Sequence, residues 1–251
     1  MPITNRDLKR RIIDISYKKC LSHLGSCLGA VDIIDEIYHV KKQDEPFILS
    51  SGHAGLALYV ILEKYGSSNT GLTAEELFDL HGVHPNRDMK NGIWCSSGSL
   101  GHGLGIAVGM ALADRSKNVY CLISDGECAE GSIWEALRVI AEQKLTNLKI
   151  FCNFNGWGAY GEILNTNVWR HPFASHVDLS ERFAAFGMNV STTTPHHLLK
   201  ENIKHFKDYT RAPVLHLIQT NVDYIPFLKG QIGHYLVMSK EQHKEAMEIL
   251  K

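Results

Sequence analysis

Apolar residues set the rhythm of this chain. Near residues 6–19 and 30–39 they fall about one helical turn apart, at Ile12 and Ile15 and then at Val31, Ile34, Ile37 and Tyr38, which predicts two amphipathic helices. The short apolar run Phe47–Leu49 predicts a strand. Helical spacing returns over 53–65, 73–80 and 104–113. Beyond that, apolar runs and helical patterns alternate: strand 119–123, helix 132–144, strand 148–153, helix 178–186, strand 188–192, helix 197–207, strand 213–218, and a last helix from about Ser239. Parallel neighbours need crossover connections, so repeated strand–helix units predict an α/β fold, a parallel sheet with helices on both faces.

No linker or low-complexity segment divides residues 1–251, and a single domain is expected. Two stretches without a pattern, 81–103 and 155–177, are longer than ordinary connections and become candidates for ligand contact. Composition adds exclusions. With 44% hydrophobic and 21% charged residues the chain is an ordinary globular sequence. A net charge of -1 argues against nucleic acid, whose binding depends on clustered Lys and Arg. The basic cluster Lys9, Arg10, Arg11 is expected on one face of the first helix. No apolar stretch suits a signal peptide or a membrane span. The six cysteines include no CxxC pair and several sit in apolar runs, which indicates a reducing compartment and a cytoplasmic location. Fourteen histidines form no HExxH or tight His/Cys cluster, and His196 with His197 reads as a solvated helix start.

The chemistry gathers around SDGECAEG, residues 124–131. Asp125 closes a predicted strand at its carboxyl end, the side on which open parallel sheets bind ligands. Asn153 and Asn155 close the next strand, one helix and one strand later, so a carboxylate and an amide converge on one edge. These hard oxygen donors suit Mg²⁺, which takes further ligands from phosphate and water. Gly126 would permit a sharp turn, and the helix start that follows favours anionic oxygens. A phosphate-bearing ligand is expected. Read singly, Asp125 with Glu127 and Glu130 suits a helix N-terminus and Asn155-Gly156 suits a turn; the joint spacing favours the ion. The Gly98–Gly105 loop reads as a ligand-facing turn before a helix, since its spacing does not match GxGxxG and no strand leads into it.

Asp125-Gly126, followed by NFNGWG at 153–158, resembles the thiamine diphosphate signature, and SDGECAEGSIWEA resembles its transketolase form. SHLGS at 22–26, LSSGHAG at 49–55, HP at 84–85 and SSGSLGHGLGIAVGMALA at 96–113 are similar to further transketolase motifs, in the family's order. The resemblance implies the thiamine diphosphate-binding fold in its diphosphate domain, with thiamine diphosphate and Mg²⁺ as cofactors. Asp125, the Asn155 side chain and the main-chain oxygen of Trp157 would hold the ion. Gly126 and Glu127, together with Gly98, Ser99 and Leu100, would line the diphosphate. His53 and His234 would contact the cofactor and assist proton transfer, while His23 and His84 would meet sugar hydroxyls. Glu130 matches an acid that links paired active sites. Ser124, Ser99 and Tyr160 depart from the usual residues, and TNVDYIPFLKG at 220–230 lacks the family's Thr-x-Lys-Gly-x-Gly character.

A transketolase chain is more than twice this length. The pyrimidine and C-terminal domains are therefore expected on a partner chain, the C-terminal transketolase subunit, two copies of each forming a heterotetramer. The reaction implied is transfer of a two-carbon ketol unit from a ketose or ketose phosphate to an aldose. The alternatives are a subunit resembling the 2-oxo acid dehydrogenase alpha chain, one resembling deoxyxylulose phosphate synthase, or a non-catalytic cofactor-binding remnant.

Overall fold

A computed structural model describes residues 4–66, 70–158, 161–163, 176–193, 209, 211–230 and 232–251. Three helices lead: α1 (Arg6–Lys18), α2 (Leu24–Val40) and, after strand β1 (Phe47–Leu49) and a 3₁₀ turn, α3 (Gly55–Tyr65). Next come α4 (Ala74–His81) and α5 (His102–Ala113), then β2 (Val119–Ser124), α6 (Gly131–Glu142) and β3 (Leu148–Phe154). The remainder comprises a small hairpin of β4 (Trp157–Gly158) and β5 (Gly161–Glu162), then α7 (His176–Ala185), β6 (Asn189–Thr193), β7 (Val214–Gln219), α8 (Ile232–Tyr235) and α9 (Lys240–Ile249). The predicted helix over 197–207 and the pair His196–His197 lie outside the described residues.

The main sheet has the order β1-β2-β3-β7-β6 and every pairing in it is parallel. Side chains alternate between its faces because the strand period is two. Phe47, Leu49, Tyr120, Leu122, Phe151 and Ile218 join α1–α3 in one core, whereas Ile48, Cys121, Ile123, Ile150, Cys152 and Leu217 join α5–α7 in another. Both faces are thus covered, as the alternation of elements predicted. Each fully buried Leu or Ile contributes about 1.5–3 kcal/mol.

Local chemistry sets several ends. Thr73 and Glu76 exchange bonds as a capping box at the start of α4, and Ser239 with Gln242 does the same for α9. The stretch 81–103 holds a 3₁₀ turn at Met89–Asn91 and a backbone bridge between Asp88 and Ile93. The basic cluster is not one face. Successive helical residues point about 100° apart. Lys9 is buried against Asp32 at 2.7 Å, Arg10 donates to the Met247 carbonyl, and Arg11 reaches Glu63 and Glu75. All six cysteines are free, and among the described residues no helix is long and apolar enough to cross a membrane.

On β7, His216 is 1% exposed, stacks on Phe151 at 5.0 Å, and shares a 2.7 Å bond with Ser191. Burial, helped by the Lys149 charge, pushes its pKa down to about 3. A depressed histidine destabilises the fold once pH falls below the unfolded value of 6.5, and the penalty grows until about 3. Between pH 7 and 5 the wild type should therefore lose about 2 kcal/mol relative to His216→Asn in urea unfolding. Pairing wild type with variant removes the opposite contribution of carboxyls whose pKa is raised.

Candidate active site

The chain reverses its direction of sheet growth between β3 and β7. From β1 to β3 each strand adds outward; the next strand in sequence, β6, takes the far edge and β7 returns to pair with β3. Open α/β sheets bind ligands at such a switch point, beyond the carboxyl ends of the strands. A cleft of about 210 Å³ opens there, lined by Asn155 and Trp157 after β3, Thr220 and Asp223 after β7, and Ser26 and His234 from neighbouring helices.

Asp125 follows β2 and is 4% exposed. Its Oδ2 accepts the amides of Asn155 at 2.9 Å and Gly156 at 2.7 Å, and its Oδ1 accepts that of Gly126. Burial pushes the Asp125 pKa up to about 7, against the pull of those three amides. The Asn155 Oδ1 accepts the Trp157 amide at 2.8 Å, which aligns the side chain with its own loop. The Trp157 carbonyl oxygen lies 3.9 Å from where a Cβ on Gly126 would stand. One carboxylate, one amide oxygen and one carbonyl oxygen therefore come together at the sheet edge. This donor set fits Mg²⁺, which binds through few protein oxygens and keeps positions for phosphate and water. Among the described residues no group of three or more His, Cys, Asp or Glu forms an alternative metal site.

Four histidines from four segments meet beside this edge. The rings of His23 and His53 are 5.6 Å apart, those of His23 and His234 5.4 Å, and those of His53 and His234 5.9 Å. His84 packs on the Gly98 backbone, where a Cβ would stand 2.9 Å from its ring. Its charge adds to the depression of His23 and His53. Burial first, then neighbouring imidazoles, push His53 down to about 3, and His234 is lowered the same way. At neutral pH these rings are uncharged and can each donate and accept a hydrogen bond. His23 adopts a left-handed backbone, φ 60°, uncommon outside glycine, and its amide donates to the His234 carbonyl at 2.8 Å. Its buried Nδ1 and the buried Ser26 Oγ, both near the start of α2, have no hydrogen-bond partner, as befits groups that face a ligand.

The structure redirects several residues. Gly126 sits in a 3₁₀ turn without positive φ, so the sharp turn expected of it is absent, and its missing side chain leaves room beside Trp157 instead. Asn153 is tied inward by the Thr220 hydroxyl, leaving Asn155 as the amide at the edge. Glu127 is fully buried and turned away from the cleft, its carboxylate bonded to Ser50, Gly101 and Ser124. Ser99 is exposed at the loop tip, and Gly98 and Leu100 are half-buried beside it. Glu130 stands exposed as the N-cap of α6, next to Gly101. Tyr160 lies outside the described residues. Ser26 was not singled out from the sequence, and nothing in its local pattern separates it from an ordinary first-turn serine.

Residues 11–233 match the family model described as transketolase, thiamine diphosphate binding domain. One of the two subunits named for apulose-4-phosphate transketolase, from Phocaeicola vulgatus, is 30% identical over 95% of this chain and 89% of that protein. Human transketolase is 30% identical over 79% of this chain but only 33% of its own length. Transketolase of Campylobacter jejuni superposes with a TM-score of 0.77 at 23% identity, over 98% of this chain and 42% of the other. The chain thus spans less than half of those two transketolases and nearly all of the Phocaeicola protein.

Proposed function

The chain belongs to the transketolase family, in its thiamine diphosphate-binding domain, and from that premise we propose that it is the N-terminal subunit of a split transketolase. The subunit moves a two-carbon ketol unit from a ketose or ketose phosphate to an aldose, in company with a C-terminal chain that carries the pyrimidine and C-terminal domains. The observation that carries this reading is the meeting of Asp125 with the Asn155–Trp157 loop at the switch point, beside the imidazoles of His23, His53 and His234. Thiamine diphosphate, when bound, supplies the electron sink for breaking and remaking a bond next to a carbonyl.

This chain's residues bind and orient. Asp125, Asn155 and the Trp157 carbonyl hold Mg²⁺, while Gly126 and the Gly98–Leu100 turn face the diphosphate. The uncharged rings of His53 and His234 exchange protons with the reacting carbonyl and hydroxyl oxygens; His23 and His84 orient the sugar hydroxyls. Glu130, exposed at the head of α6, faces a second copy. The cleft's 210 Å³ is smaller than the roughly 300–1,000 Å³ of sites that enclose a whole ligand, which supports a site completed by another chain. The relatives from Phocaeicola vulgatus and Actinobacillus succinogenes, both named as single subunits of a transketolase, support the same division. Two copies of each chain make a heterotetramer, and free cysteines support a cytoplasmic setting.

Donor choice tests the reaction. Combined with its partner chain, thiamine diphosphate and Mg²⁺, the protein should turn over a ketose phosphate with an aldose acceptor and leave pyruvate untouched. Consumption of pyruvate without ketol transfer would assign oxo-acid chemistry instead.

A further inference from the structure

Glu127 lies two residues beyond Asp125 and exposes none of its surface. Its Oε1 accepts the Ser50 hydroxyl at 2.6 Å and the Gly101 amide at 2.8 Å, and its Oε2 accepts the Ser124 amide at 3.0 Å. Ser124 Oγ in turn accepts the Glu127 amide at 3.3 Å, so Ser124 and Glu127 form a reciprocal capping pair around the turn that presents Asp125. That pairing accounts for a serine where the signature begins with glycine. The same carboxylate then reaches two other segments, the exit of β1 through Ser50 and the Gly98–Gly101 turn through Gly101.

Those segments touch without intervening side chains. A Cβ on Gly52 would stand 2.5 Å from the Gly98 amide nitrogen, and one on Gly103 would stand 2.6 Å from Ser50 Cα. Gly101 holds φ +82° with its amide aimed at the carboxylate. No other acid among the described residues gathers hydrogen bonds from these three segments.

We infer that Glu127 is a positioning residue, whose carboxylate holds the Gly98–Gly101 turn at a set distance from Asp125. The turn and the ion-binding edge then meet a diphosphate together, already ordered, so that less freedom is lost on binding. This inference rests on the reading of the cleft as a thiamine diphosphate site.

Glu127→Gln keeps the shape and removes the match. Whichever way the amide turns, its NH₂ faces a backbone or hydroxyl donor. Ser50→Ala cuts one link alone. Each full-length chain is titrated calorimetrically with thiamine diphosphate in Mg²⁺ at a temperature where circular dichroism shows it folded. Amide exchange of the ligand-free proteins is followed alongside. Glu127→Gln should raise Kd about ten-fold or more, Ser50→Ala by less, and the double variant by no more than Glu127→Gln alone. Exchange should quicken at Gly101 while β2 and β3 keep their protection. A merely structural glutamate would lower the melting temperature and leave Kd of the folded variant unmoved. Equal Kd values for folded Glu127→Gln and wild type overturn the inference and leave the cofactor reading standing. A wild type that binds no thiamine diphosphate overturns both. Should Glu127→Gln fail to fold, Ser50→Ala decides, and an unchanged Kd there overturns the inference.

Discussion

Asp125→Asn should weaken binding of thiamine diphosphate in Mg²⁺ by about a hundred-fold or more while the chain stays folded. Asn preserves the volume and one oxygen, but it removes the only full negative charge at the point where Asn155 Oδ1 and the Trp157 carbonyl converge. It also turns an NH₂ toward one of the amides of Gly126, Asn155 and Gly156 that the carboxylate now accepts. A magnesium ion gains far more from a carboxylate than from an amide. The check is a calorimetric titration beside a far-ultraviolet circular dichroism spectrum, and an unchanged affinity would remove Asp125 from the ion site.

Withdrawing the divalent cation should have an effect of the same size. A diphosphate carries multiple negative charges, and among the described residues lining the cleft none is Lys or Arg; Asp223 on its rim adds a negative charge. Neutral imidazoles and backbone amides supply hydrogen bonds and partial charges, which cannot offset a polyanion brought next to Asp125. The cation must therefore enter with the ligand, and chelation by EDTA should reduce thiamine diphosphate affinity about a hundred-fold or more. Tight binding in EDTA would mean that some other positive group serves the diphosphate.

Where local pattern determines structure, the sequence is legible. Phe47–Leu49 reads correctly because a fully buried parallel strand is a short apolar run, and Ser239 marks its helix because capping is local. The first turn of α2 escapes the pattern. Gly25, Ser26 and Gly29 break the apolar period, and they are small because Gly233, Thr220 and Asn153 press against that part of the helix. Strand order lies beyond reach, since the placing of β7 between β3 and β6 depends on contacts distant in sequence. The edge holding Asp125 and Asn155 can still be inferred, because one helix and one strand return a parallel chain to the same side.

Site residues divide along the same line. Histidines 23, 53, 84 and 234 carry a motif signal and do converge. Glu127 carries two signals. The acid beside Asp125 suggests ligand contact, while Ser124-x-x-Glu127 is a capping-box pattern that points inward, and burial decides for the second. Lys9, which suggests a solvated basic face, instead lies 3% exposed against Asp32, a pairing set by tertiary contact.

The most direct measurement is anomalous diffraction from crystals of the full-length chain grown with thiamine diphosphate and Mn²⁺ in place of Mg²⁺. A single strong peak bonded to Asp125 and Asn155, with diphosphate oxygens completing its shell, is the expected result. A peak elsewhere, or a diphosphate bound away from the carboxyl ends of β2 and β3, would contradict it.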